Sequence, residues 1–207
     1  WSNLARKLAH EIKNPLTPIQ LTIDRIKNKY LNKVSEDDKI NFSENLKIIN
    51  NQIKQIENLV NEFSDFARMP KPILQDNDLI KIISDNISLL SQIDKEIKID
   101  FKKSQNNVVL NCDKEQISRA FFNLIKNSIE SIQEKYKKKP DFNKKISIEI
   151  ISHNDHIKII LIDNGIGFSE IKGKIKDIMN PYFTTKKNGT GLGLSIVNKI
   201  INDHNGE

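Results

Sequence analysis

The chain is poor in what covalent staples and membrane spans require. Of its 207 residues only Cys112 is a cysteine, which excludes an internal disulfide and a cysteine-based metal cluster and fits a reducing cytoplasm. No run approaches the ~20 consecutive apolar residues needed to cross a bilayer. The opening W-S-N-L-A-R-K also lacks the apolar core of a signal peptide. There is no internal repeat, and no low-complexity tract apart from one lysine-rich stretch. Trp1 in place of Met reads as the start of a fragment, so a membrane anchor is expected only in regions absent from this chain. A chain of this length has room for one large domain or two small ones with real cores, and 37% hydrophobic content fits a soluble protein.

A net charge of +6 could suit nucleic acid or an anionic membrane. The basic residues, however, are almost all lysines scattered among Asn and Ile, so no direct nucleic-acid partner is expected. Their densest cluster, residues 135–139 followed by Lys144 and Lys145, flanks Pro140 and reads as a solvated loop.

Apolar residues at Leu4, Leu8, Ile12, Leu16, Ile19, Ile23, Ile26 and Tyr30 step by four and three, which predicts one long helix over residues 2–30. His10 is off this stripe. At about 100° per residue it lies roughly 160° from Ile12 around the helix, so it should face solvent or a partner. Asn14 follows one turn later on the same face, and the adjacent Glu11 could take a proton from the imidazole. Pro15 cannot donate to the Glu11 carbonyl, so a bend is expected there. Ser35, with Asp38 three residues on, caps a second helix, whose positions Phe42, Leu46, Ile49, Ile53, Ile56, Val60 and Phe63 keep a heptad period. Two such helices form an antiparallel hairpin, and pairing with a second copy into a four-helix bundle is the natural way to bury both stripes.

Pro70 and Pro72 end this region and favour an extended linker. The domains are therefore placed at 1–68 for the hairpin, 69–77 for the linker and 78–207 for a second, α/β domain. In the latter, Asp78 caps a helix, residues 97–101 and 108–112 read as strands, and Asp113 opens another helix. Residues 146–151 and 157–163 form a β-hairpin, with its turn at 153–155. A last helix begins after Thr190.

Four clusters in this second part carry chemistry. Asn123 and Asn127 stand at i, i+4 on one helix face, where an amide oxygen can ligate Mg²⁺. Asp163-Asn164-Gly165-Ile166-Gly167 sits at a strand end; its carboxylate can accept from an exocyclic amine, and its glycines let backbone approach a ring. Pro181-Tyr182-Phe183-Thr184-Thr185-Lys186 comes next. Gly189-Thr190-Gly191-Leu192-Gly193-Leu194 then runs into a helix, whose free N–H groups suit phosphate. No G-K-[ST] follows, so this is not a Walker A loop, and no strand precedes it as in a dinucleotide fingerprint.

In this order and spacing the clusters resemble the N, G1, F and G2 boxes of the Bergerat-fold ATPases. H-E-I-K-N-P-L-T-P resembles the phosphoacceptor box of two-component sensor histidine kinases. Within that family, the stretch around His10 together with P-Y-F-T-T-K-K-N-G-T-G-L-G-L looks most like the nitrogen-regulation, NtrY-like type. The resemblance covers nearly the whole chain. It implies an α+β protein, a helical hairpin that forms a four-helix bundle as a dimer, followed by a two-layer α/β sandwich with a mixed sheet and with its C-terminal strands missing. It implies ATP and Mg²⁺ as cofactors, His10 as phosphoacceptor, Glu11 as its base, Asn127 as the Mg²⁺ ligand and Asp163 as the adenine reader. Asn123, Gly165, Gly167, Phe183, Thr185, Gly189, Thr190, Gly191, Leu192 and Gly193 would line the nucleotide. Many relatives carry a basic residue one turn after the metal-binding asparagine. Here Glu130 and Ser131 stand there, leaving Lys126 and Lys186 as the candidates to hold phosphate.

The expected function is the core of a sensor histidine kinase in the cytoplasmic portion of a membrane-anchored bacterial sensor. It would act as a homodimer, with a response-regulator receiver domain as partner. A phosphatase activity using Asn14 to position water is also expected. The competing readings are an ATP-driven conformational machine of the same fold and a non-enzymatic adaptor. The exposed H-E-x-x-N face argues against the first, and the four nucleotide boxes argue against the second.

Overall fold

The structure is a computed structural model, and it describes residues 2–153, 155–168, 175–184, 186 and 189–207. Contacts divide the chain into two compact units, Trp1–Pro70 with Lys186–Leu192, and Lys71–Thr185 with Gly193–Glu207.

The first unit is built on two helices, α1 (Ser2–Tyr30) and α2 (Glu36–Arg68). Ser35 caps α2 as its sequence predicts, its hydroxyl oxygen accepting from the Asp38 N–H at 3.3 Å. The helical backbone of α1 continues through both Pro15 and Pro18. The carbonyls that lose their donors, those of Glu11 and Asn14, belong to exposed residues and can turn to water. Leu16, Ile23, Leu46 and Ile53 form the buried seam between the helices, with Ile26 and Phe42 packed against it. As expected of a lone hairpin, the seam covers only part of each stripe. Ala5 and Ala9 point inward in the first turns of α1, whereas Leu8 and Ile19 are each 46% exposed, and Ile12, Tyr30, Ile49 and Ile56 are exposed too. Two helices meet along one line, so a stripe two residues wide is half covered in a single hairpin.

The second unit follows Pro70. The stretch expected as linker ends in strand β1 (Gln75–Asp78), which pairs antiparallel with β3 (Val109–Cys112). Q-D-N-D has no strand pattern; the pairing is helped by Asn77, whose amide donates to the Cys112 carbonyl at 2.9 Å. Asp78 caps α3 (Leu79–Leu90) by accepting from the Ile80 N–H at 2.9 Å. Strand β2 (Lys98–Lys103) lies parallel to β4 (Lys145–Ser152), and β4 pairs antiparallel with β5 (Ile157–Asp163), giving a mixed three-stranded sheet of order β2-β4-β5. Of the hairpin turn at 153–155, Asn154 lies outside the described residues. Helix α4 (Lys114–Lys138) is capped by Asp113, a short 3-10 helix covers Ile175–Met179, and α5 (Gly193–Asp203) closes the unit.

The core lies between sheet and helices. Ile146, Ile148 and Ile150, the alternate residues of β4, are fully buried, as are Ile125, Ile129 and Ile132 of α4, Leu79 and Ile83 of α3, and Ile200 of α5. Each such side chain contributes roughly 1.5–3 kcal/mol. This is the expected two-layer α/β arrangement.

The lysine-rich stretch is not a solvated loop. Helix α4 runs on to Lys138, and Lys145 begins β4 and pairs with Asp100 at 2.9 Å. Lys144 is only 9% exposed, with its ammonium 3.0 Å from Asp94 and 2.7 Å from Glu96, and 4.0 Å from the centre of the Tyr136 ring. Burial alone would raise the Asp94 carboxyl, but the Lys144 hydrogen bond and the Glu96 N–H hold it below the usual carboxylate range.

Candidate functional site

On α1, Ala9 faces the seam and its neighbour His10 faces outward, exposed, together with Glu11 and Asn14. The off-stripe position of His10 thus yields an accessible imidazole. Asn14 stands one turn further along the same helix, about 6 Å on.

In the second unit, α4 organises the remaining residues. Its residues Asn123 and Asn127 face the start of α5: a β-carbon placed on Gly193 would lie 3.7 Å from Asn127 Nδ2 and 3.9 Å from Asn123 Oδ1. The Asn123 Nδ2 is buried without a hydrogen-bond partner among the described residues. An orphaned amide beside a helix start that begins on glycine is the arrangement a bound polar group would complete.

One turn beyond Asn127, α4 holds the D-N-G-I-G turn that follows β5. Half-buried Asp163 accepts from the Gly165 N–H at 2.9 Å through Oδ1 and from the buried Ser128 hydroxyl at 3.2 Å through Oδ2. Among the described residues each carboxylate oxygen therefore keeps one lone pair for a further donor. Ser131 accepts from the Ile166 N–H at 3.1 Å. Gly167 has φ +68°, a left-handed conformation that glycine adopts without strain.

Among the described residues Asn164 makes four hydrogen bonds. Its N–H donates to the Lys145 carbonyl at 3.2 Å, its Oδ1 accepts from the Lys145 N–H at 3.0 Å, its Nδ2 donates to the Asn143 carbonyl at 2.6 Å, and its carbonyl accepts from Lys135 Nζ at 2.6 Å.

Not all predicted residues gather here. Lys126 is exposed on α4 and pairs with Glu130 at 3.9 Å, which leaves its ammonium shared with a carboxylate. Phe183 is half-buried, its N–H donating to the Asn180 carbonyl at 3.3 Å, and it follows Tyr182, whose φ of 68° is unusual for a bulky residue. Thr185 lies outside the described residues. The glycine-rich segment is divided between the units. Lys186, Gly189, Thr190, Gly191 and Leu192 group with the helical hairpin, and Gly193 with the α/β unit. Within the first unit the Thr190 hydroxyl bonds Glu62 of α2, and the Leu192 N–H donates to the Thr190 hydroxyl oxygen at 3.4 Å. Sequence reasoning missed Ser128, Ser131 and Lys135. The available signal was their spacing of three and four from one another along the helix that carries Asn127.

An outward histidine on a helical hairpin, joined to an α/β unit in which paired asparagines meet a glycine helix start beside a braced aspartate, is the make-up of a histidine kinase. Residues 1–72 match the His Kinase A (phospho-acceptor) domain, and residues 112–207 match the histidine kinase-, DNA gyrase B- and HSP90-like ATPase domain, so the chain belongs to the histidine kinase family. Within that family it is similar to the nitrogen regulation protein NtrY of Azorhizobium caulinodans, with 37% identity over 209 residues, covering all of this chain and 26% of the relative. The chain spans about a quarter of the length of this relative and about a third of that of the NtrY-like sensor histidine kinase of Rickettsia felis, to which it is 35% identical. Among solved structures, the catalytic domain of histidine kinase ThkA superposes with a TM-score of 0.54 at 27% identity, covering 64% of this chain and 82% of that one. ThkA in complex with response regulator protein TrrA gives a TM-score of 0.63 at 24% identity over 99% of this chain and 55% of that one.

Proposed function

We propose that the chain is the catalytic core of a sensor histidine kinase of the nitrogen-regulation type, which phosphorylates His10 from ATP and passes the phosphoryl group to an aspartate of a response-regulator receiver domain. The observation that carries this reading is the meeting of Asn123 and Asn127 with Gly193, next to an Asp163 with lone pairs to spare, in a chain that also presents an outward His10. Asp163 accepts from the adenine amino group. Gly193 and the N–H groups at the start of α5 receive the phosphates, and Asn127 would supply an oxygen ligand to Mg²⁺. When bound, Mg²⁺ draws charge from the phosphate oxygens. A ring nitrogen of His10 attacks the γ-phosphorus, the bond from that phosphorus to the β–γ bridging oxygen breaks, and ADP leaves. The imidazole proton passes to Glu11.

A second copy of the chain would cover Leu8, Ile12, Ile19, Ile49 and Ile56, completing a four-helix bundle around the seam of each hairpin. Asn14, one turn from His10, can donate to and accept from a water, which supports a role in hydrolysing the regulator's phosphoaspartate. The chain is read as the cytoplasmic portion of a membrane-anchored sensor whose anchor lies in other regions. The reading is tested by Asn127→Ala. Mg²⁺-dependent labelling from γ-labelled ATP should be lost in a folded variant, and full labelling would place the metal ligand elsewhere.

A further inference from the structure

The geometry points to Lys135 as a positioning residue for adenine recognition: it acts on Asp163 through the single peptide group that joins Asn164 to Gly165. This inference rests on the reading of Asp163 as the adenine acceptor. Lys135 Nζ donates to the Asn164 carbonyl oxygen at 2.6 Å, and the N–H at the other end of that same peptide, that of Gly165, donates to Asp163 Oδ1 at 2.9 Å. A trans peptide is planar, with its C=O and N–H pointing in opposite directions, so a cation on the oxygen fixes where the N–H points. It also polarises the amide and strengthens its donor end. A D-N-G turn with glycine on one side is a place where a peptide can rotate at little steric cost. Lys135 opposes that rotation, and rotation would take away the N–H that aims the Asp163 carboxylate.

The lysine is itself held. It leaves α4 seven residues after Ser128, which bonds the other carboxylate oxygen, and four after Ser131, which bonds the Ile166 N–H. Ser128, Ser131 and Lys135 therefore form one face of α4 gripping the turn at three points. The ammonium also stands 4.6 Å from the centre of the Phe142 ring, and the side chain is half-buried. Asn164 is fixed from its other side by Lys145 and Asn143, so the peptide between Asn164 and Gly165 is the one the lysine controls.

The test compares ATP with inosine triphosphate, which carries a carbonyl where ATP carries the amino group, in binding titrations of the full 207-residue chain. Lys135→Met keeps an apolar stem near Phe142 and removes the cation; Lys135→Gln is the second variant should the first fail to fold. Loss of one charge-assisted bond should weaken ATP about three- to tenfold. Inosine triphosphate affinity should be unchanged, so discrimination between the two falls, and the Gly165 amide should lose hydrogen-exchange protection. Lys135→Arg should restore both. Equal weakening of both nucleotides, or unchanged discrimination in folded variants, would overturn the inference by reducing Lys135 to a packing residue. Asp163→Asn in the same titration separates the two levels. If it leaves the discrimination intact, the adenine reading itself fails and the inference falls with it. If it abolishes discrimination while the Lys135 variants do not, only the role of Lys135 is lost.

Discussion

Gly165 lies against Ser131 of α4 so closely that a β-carbon on it would fall 2.1 Å from the serine hydroxyl oxygen and 2.7 Å from the serine carbonyl carbon. The turn bearing Asp163 is thus seated on the helix bearing Asn127 at a distance only glycine permits.

Gly165→Ala should therefore push the turn off α4. Overpacking of this kind costs about 1–3 kcal/mol. ATP affinity should fall with stability, because the Ser128–Asp163 and Ser131–Ile166 bonds both span the displaced contact. Adding Ser131→Ala should not rescue it, since the clash with the helix backbone remains. Denaturant unfolding and nucleotide titration of the single and double variants check this.

Gly193 is a different case. A β-carbon there would meet Asn127 and Asn123 at ordinary contact distances, 3.7 and 3.9 Å, so the fold has room for it. Gly193→Ala should keep or slightly raise thermal stability, since alanine is favoured over glycine within a helix by about 1 kcal/mol. It should still lower Mg²⁺-ATP affinity at least several-fold, because the methyl group stands where phosphate and metal would approach the asparagines. Thermal melting and nucleotide binding measured on the same sample would show the two properties moving apart.

Acid sensitivity should centre on two carboxylates. Burial would raise Asp113, but the N–H groups of Ile73, Gln116 and Glu115, with His204 nearby, hold it below the usual range; Asp94 is lowered by Lys144 and the Glu96 N–H against its own burial. A folded-state pKa below the unfolded one gives stability that is fully present above the unfolded value and is lost as pH falls through the folded one. Stability should thus be flat above about pH 5 and decline below about pH 4. Asp113→Asn, which keeps a cap oxygen but cannot titrate, should make that decline shallower. Urea unfolding from pH 7 to pH 3 measures it, and an unchanged slope would remove Asp113 from the account.

The sequence made some of this visible and hid the rest for physical reasons. His10 was legible because helical periodicity settles which way a residue faces, and the Asp163 turn was legible because glycine and aspartate at a strand end carry local meaning. Strand β1 was not, since Q-D-N-D becomes a strand only when β3, some 35 residues on, pairs with it. The stripe on α1 is legible in its spacing and is wider than one hairpin can bury. Lys135 and Lys144 were hidden inside a run of lysines that reads as solvated. What sets them apart is distant in sequence, Asn164 for one and Asp94 and Glu96 for the other.

Transfer of phosphate from ATP to His10 would leave a bond with a distinctive chemical stability. The chain is incubated with γ-labelled ATP and Mg²⁺, and the labelled protein is then exposed to acid and to base. A phosphoramidate on histidine predicts a label that is lost in acid, persists in base and is absent from His10→Ala, although that variant still binds ATP. A label that survives acid, or one that His10→Ala retains in full, would contradict the account.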